Sequence, residues 1–187
     1  VLKGSTSGDV TITVPAEAGT NTLTLPAGTG NIITSTTAGT IIQVVNLRAT
    51  GVATGTTLIP TDDTIPQKTE GVEYMTLAIT PTHASNKLKI DVTLFGSCSG
   101  VTRLTTCLFQ DDTANGLAAV QTVTQAAGYE EVHSFTHYMA AGTTSATTFK
   151  VRAGGNTTNT TTFNGTAGAR RYGGTAGSSI TITEIAV

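Results

Sequence analysis

The sequence predicts an all-β protein, and three observations carry that prediction. Short apolar/polar alternations of period two recur along the 187 residues, Thr and Gly are over-used, and turn residues separate nearly every run. Thr favours pleated, half-buried surface, whereas Gly and Pro stop strands and shape turns. The charged fraction of 12% is about half of the ~25% usual in soluble domains. Something other than Lys and Glu therefore keeps this surface soluble, or an assembly hides much of it.

The length suits one domain plus an appendage, since a compact domain of this size buries roughly 70% of its unfolded surface. At the start, Val10, Ile12 and Val14 alternate with Thr11 and Thr13, and after "PAEAGTN" Leu23 and Leu25 alternate with Thr22 and Thr24. Pro15, Gly19, Pro26, Gly28 and Gly30 stop both runs. A lone two-stranded unit is marginal in water, so its apolar face needs a partner. Three copies around a common axis would supply one. The stretch "TSTTAGT" at 34–40 reads as a hinge, which places a boundary near residue 39 and divides the chain into 1–38 and 39–187.

Beyond the hinge, strands are predicted at 41–47, 74–79, 87–95, 103–110, 117–123, 132–139, 147–153 and 179–187. Their spacing, with turn signals between them, is that of a β-sandwich or jelly roll. "KLKIDVTL" is the clearest core strand, with Leu88, Ile90, Val92 and Leu94 on one face and Lys87, Lys89, Asp91 and Thr93 on the other. "YMTLAI" sets Met75, Leu77 and Ile79 on one side and stops at Pro81, which cannot donate to a central ladder. Ile180 and Ile182 predict a central position for the last strand. A hairpin turn near Ser99–Thr102 would set Cys98 opposite Arg103, with Cys107 further along. The two cysteines would then lie beyond the ~7 Å that a disulfide spans, and reduced thiols are expected. Residues 154–179 are rich in Gly, Thr and Asn and read as a long loop, or a weak strand between two loops, in which Phe163 and Tyr172 are the large apolar residues.

Several function classes are disfavoured. The formal charge of −2 lacks the basic stripe that nucleic acid requires, and Arg170-Arg171 is an isolated basic doublet. There is no apolar run near the ~20 residues of a membrane span and no signal-peptide pattern, so no membrane insertion is expected. The sequence begins at Val1 without Met, as a fragment or processed product would. His133 and His137 are spaced as zinc ligands on a helix, but Val132, Phe135 and Tyr138 favour a strand. Four strand residues span roughly 13 Å, too far for one ion. "GSCSG" around Cys98 resembles a nucleophile elbow without its helix or a neighbouring base, and a Gly-rich turn explains the same letters. Asp62-Asp63, Asp111-Asp112 and Glu130-Glu131 are adjacent pairs whose members would point to opposite faces of a strand, unlike glycosidase carboxylates. Asn156, Asn159 and Asn164 each begin an N-x-Thr sequon of the kind that Asn/Thr-rich sequence yields by chance. No catalytic residue, metal ligand or cofactor is expected.

The opening "LKGSTSGDVTITVPAEAGTNTLTLPAGTGNIIT", the stretch "ITPTHASNKLKIDVTLFGS", the strand "GTTSATTFKVRA" and the terminal "GSSITITEIAV" resemble segments of bacteriophage tail-fibre and related virion proteins. That resemblance implies a homotrimer with a β stalk at residues 1–38 and a β-sandwich, jelly-roll-like knob at 39–187. Val10, Ile12, Val14, Leu23 and Leu25 would meet their counterparts in the neighbouring chains. It further implies a virion location, attachment to other virion proteins through the N-terminal segment, and host adsorption as a tail-fibre tip through a surface glycan or protein. Phe163, Arg170, Arg171 and Tyr172 are then the candidate receptor-binding loop. The alternative within the same resemblance is a capsid decoration (cement) protein or head fibre docked on the shell. A secreted trimeric ligand of the tumour-necrosis-factor kind shares the sandwich but would lack the "VPAEAGTNTLTLPAGTG" segment.

Overall fold

Short alternating runs become strands only where neighbours complete their hydrogen bonds, so the pairing order decides the architecture. The computed structural model describes residues 2–3, 9–10 and 38–187. The chain divides into two units, Val1–Ile32 and Ile33–Val187. In the first, β1 (Leu2–Lys3) and β2 (Asp9–Val10) pair antiparallel, with Leu2 opposite Val10. Of the apolar residues assigned to the stalk, Val10 lies in β2, whereas Ile12, Val14, Leu23 and Leu25 lie outside the described residues.

The second unit is built from β3 (Ile41–Ala49), β4 (Ala53–Gly55), β5 (Val72–Ile79), β6 (Lys87–Cys98), β7 (Thr102–Gln110) and β8 (Ala118–Thr124). It continues through β9 (Glu130–Ala140), β10 (Thr147–Gly155), β11 (Thr161–Phe163), β12 (Gly165–Thr166), β13 (Ala169–Arg170) and β14 (Ser178–Ile185). One sheet has the order β5-β10-β7-β8; the other runs β3-β14-β6-β11-β4, with β9 along the opposite edge of β6. The pairings that build both sheets are antiparallel. The all-β expectation therefore holds for the described residues, and β14 is central, between β3 and β6.

The two sheets face each other across one core. Leu88, Ile90, Val92 and Leu94 of β6 are fully enclosed, as their alternation requires, and so are Ile180 and Ile182 of β14. Opposite them stand Phe149 and Val151 of β10 and Leu104 and Leu108 of β7. The outward face of the smaller sheet is also covered, because residues 56–71 fold over it and bury Ile59 against Cys107 and Phe109. Consequently β7 is buried on both faces from Leu104 to Phe109.

The expected hairpin at Ser99–Thr102 does not form. β6 and β7 belong to opposite sheets, and residues 99–101 carry the chain from one layer to the other. The reason is competition for partners: Cys98 is opposite Thr161 and Thr102 is opposite Thr124, so neither strand end is free for the other. Cys98 thus lies in the main core and Cys107 in the cluster outside the smaller sheet, both as free thiols. The long loop expected at 154–179 is likewise more structured. It contributes β11 to the larger sheet, a β12–β13 hairpin and a 3-10 turn at Tyr172–Gly174.

β3 and β14 run antiparallel, which sets the chain's lead-in beside its last residues. The Gly39 N–H donates to the Ala186 carbonyl and the Ala186 N–H to that of Thr40, both at 2.9 Å. We call this the proximal end. β6 starts there, with Lys87 opposite Ile185, and reaches Cys98 about 36 Å away at strand rise. The proximal end is secured by Glu184, which is fully buried on the inward face of β14 and forms no ion pair among the described residues. Its carboxylate accepts from Gln43 Nε2 (2.6 Å), Asn86 Nδ2 (2.6 Å), and the Thr82 N–H and hydroxyl (2.8 Å each). Burial pushes the carboxyl up, but these donors together outweigh it and hold it down at about 2.

Because the folded value lies below the unfolded one, this contribution is complete above pH 4.5 and is lost as pH falls towards 2. It amounts to about 3 kcal/mol at full loss. Glu184→Gln should lower stability at pH 7 by about 1–3 kcal/mol, because an amide N–H2 then faces donors. Urea unfolding of the full chain should also show a flatter acid limb between pH 4.5 and 2 in the variant.

Candidate functional site

The distal end of the second unit gathers the exposed Tyr172, several left-handed residues and a cleft. Its organiser is Asn164, fully buried and at φ 55°. The Asn164 N–H donates to Phe95 O (2.9 Å) and Nδ2 donates to Ala49 O (2.8 Å) and Gly51 O (3.1 Å). Oδ1 accepts from the Ser178 hydroxyl at 2.7 Å. Asn tolerates this conformation better than other non-glycine residues. The same contacts occupy the amide of this sequon.

Phe163, expected at an exposed binding loop, is 3% exposed. Residues 161–163 add a strand to the larger sheet, and the ring stacks on Tyr74 with centroids 4.9 Å apart and planes 8° from parallel. Residue alternation in β11 points Phe163 into the core, so it is unavailable to a receptor. The Tyr74 hydroxyl is buried without a partner among the described residues, and burial, with Cys98 adding to it, pushes it up to about 12.

The other three predicted residues do reach the surface. Past Asn164 the chain forms the β12–β13 hairpin, in which a Cβ on Gly165 would stand 2.1 Å from Ala169 O; only glycine fits there. The hairpin tip places Ala167 at φ 51° and Gly168 at φ 76°. Arg170 is exposed in β13. Arg171 Nε donates to Glu130 Oε1 at 2.7 Å, and the Thr166 hydroxyl donates to the same oxygen at 2.6 Å. The Thr166 bond, then that of Arg171, holds Glu130 below the usual carboxylate range. Tyr172, at φ 49°, is 75% exposed. A cleft of about 560 Å³ opens beside this hairpin, between β4, the end of β6, β11 and the turn at Ala127-Gly128. Sequence reading did not find it, because its walls come from five separated segments of small residues.

The remaining candidates have structural partners. His133 lies on the inward face of β9, 1% exposed, between the two sheets. Its Nδ1 is 2.7 Å from the Thr106 hydroxyl of β7 and its Nε2 2.9 Å from that of Thr122 in β8. Burial pulls its pKa down to about 4, so the ring is neutral at pH 7. His137 follows on the same strand face, half-buried. Cys98 Sγ is 3.8 Å from the Thr161 hydroxyl, and burial raises the thiol. Asp62 accepts from the Thr64 N–H (2.9 Å) and hydroxyl (2.5 Å), and Asp111 fastens its turn to Thr147 and Thr148. Glu130 and Glu131 are successive residues of β9. Among the described residues, His, Cys, Asp and Glu side chains form no cluster of three or more suited to a metal ion.

No family model matches the sequence, and no curated protein matches it. Among solved structures, the chain is similar to the VP2 subviral particle of infectious bursal disease virus, at 10% identity and a TM-score of 0.33. That alignment covers 78% of this chain and 37% of the other. It is also similar to the enzymatically active domain of tailspike protein 4 of bacteriophage CBA120, at 12% identity and a TM-score of 0.28, covering 67% of this chain and 19% of that one. The chain spans well under half the length of either.

His133 has a folded pKa below its unfolded one, so stability is complete above pH 6.5 and declines as pH falls towards 4. The full loss is about 3 kcal/mol. Urea midpoints of the full chain measured across this window should slope in the wild type and flatten in His133→Gln. Phe163→Ala should cost about 3–5 kcal/mol. Tyr172→Ala should change stability by no more than about 0.5 kcal/mol, and the same unfolding measurement separates the two.

Proposed function

We propose that this chain is a structural protein of a bacteriophage virion: a homotrimeric fibre whose residues 1–38 form a β stalk and whose residues 39–187 form a knob that meets the host surface as a tail-fibre tip. One observation carries the reading. In the second unit, the chain's lead-in and its last strand share the proximal end, whereas exposed Tyr172, the Arg171–Glu130 pair and the cleft lie at the distal end. A module attached at one end and recognising at the other needs that polarity.

Two further features support it. The opening segment resembles that of tail-fibre proteins, and its apolar alternation needs cover from other chains. The edge strand β8, "AAVQTVT", has no charge or proline, and β9 has none beyond its leading Glu130 and Glu131. Proteins normally protect open edges with such residues, so neighbouring copies are the natural cover for these two. In this reading the trimer binds and builds; it does not catalyse.

Light scattering on the purified full chain should give three times the chain mass of 19.0 kDa. Removing residues 1–38 should shift the mass towards that of one chain. Gold-labelled antibody should mark the tails of virions; label on heads would replace the tail-fibre role with capsid decoration, and a monomeric full chain would overturn the trimer.

A further inference from the structure

We propose that the distal cleft binds an uncharged sugar ring, which deepens and rests on the host-surface reading above. Its volume, about 560 Å³, falls within the roughly 300–1,000 Å³ of small-molecule sites. Its chemistry decides the ligand class. The lining residues are Thr, Ser, Ala, Gly and Cys98, with no Lys, Arg, His, Asp or Glu among them. Phosphate or carboxylate would find no cation there and an amine no anion, so a charged ligand would lose its hydration uncompensated. A hexose needs groups that both donate and accept, beside small apolar patches for its C–H faces. Threonine supplies both in one side chain.

Two of these hydroxyls, on the largely enclosed Thr162 and Thr166, are already oriented in complementary ways. The Gly168 N–H donates to Thr162 Oγ1 at 3.2 Å, which leaves that hydroxyl's proton free to be given. The Thr166 hydroxyl donates to Glu130 at 2.6 Å, which leaves its lone pairs free to accept, while Arg171 fixes the carboxylate from outside. One can therefore donate to a sugar hydroxyl and the other accept from one. The wall between them is strained as well. Ala167 occupies φ 51° at the hairpin tip, a conformation for which Asn or Gly is preferred. Left-handed non-glycine backbone of this kind gathers at ligand sites.

Saturation-transfer NMR on the full chain tests this with four probes: methyl α-glucoside, methyl β-galactoside, N-acetylglucosamine and, as the charged control, N-acetylneuraminic acid. At least one neutral probe should bind saturably, and N-acetylneuraminic acid should not. Ala127→Trp, at an exposed position on the cleft wall, should abolish the signal without changing the urea midpoint. Thr166→Val should weaken binding about tenfold. No neutral probe binding, stronger binding of the charged probe, or unchanged binding in a folded Ala127→Trp variant would each overturn the cleft's assignment. A trimer that labels tails yet binds no probe would sink this inference alone; a monomer that binds sugar would sink the trimer alone.

Discussion

The inward row of Leu88, Ile90, Val92 and Leu94 is the constraint on which the second unit depends. β6 pairs with β14 and then β11 along one edge and with β9 along the other, so its backbone is saturated and only a face can receive the opposing layer. Each enclosed aliphatic side chain contributes about 1.5–3 kcal/mol relative to exposure. Four in one strand therefore compel a second sheet. Phe149, Val151, Leu104 and Leu108 provide it, and the chain must cross layers at 99–101 to deliver β7 there. The failure of the expected hairpin is thus a consequence of the core: a β6–β7 hairpin would have placed both apolar rows in one sheet and left nothing to face them.

Glu184, His133 and Asn164 are among the polar residues that stand at buried positions where apolar ones would be expected. Glu184 closes the proximal end, His133 joins the sheets near one open edge, and Asn164 turns the chain at the distal end. Glu184 and Asn164 are buried where regular pairing stops and His133 within the β6–β9 ladder opposite Leu94, and each binds groups from separate elements. Glu184 shows how neutral donors hold a buried carboxylate: aimed at both its oxygens, they replace its hydration. Such groups hold one register, because a one-residue slip would turn them outward and leave their partners unsatisfied.

Legibility in the sequence followed the range of the interactions. The strands from β5 to β10, β3 and β14 were readable because period-two alternation is local, and the central place of β14 followed from Ile180 and Ile182. Which strands share a sheet was not, since the partners of Cys98 and Thr102 lie at Thr161 and Thr124. The same limit hid Phe163: a lone aromatic among Thr, Asn and Gly reads as a loop residue until β6 and Tyr74 supply its neighbours. Arg170, Arg171 and Tyr172 were reachable because charge and flanking glycines mark surface without reference to a partner. The cleft had no local signal at all, and only the closing of β4, β11 and the hairpin around Cys98 makes it.

The two ends of the unit are stabilised by different means, and they differ in what substitution does to them. At the proximal end, Glu184 and the Gly39–Ala186 bonds tie the lead-in to the last strand, so movement there would disturb the ladder itself. At the distal end, the hairpin from Gly165 to Arg170 hangs on Asn164 and Glu130 and adds no strand to either main sheet. Substitutions at its tip therefore alter the cleft wall and the exposed surface while leaving the core row of β6 untouched. A surface built in this way can change its side chains at little expense to folding. The four Thr side chains that line the cleft divide in the same way: Thr54 is exposed and Thr160 half-buried, whereas Thr162 and Thr166 are enclosed and held by hydrogen bonds to Gly168 and Glu130.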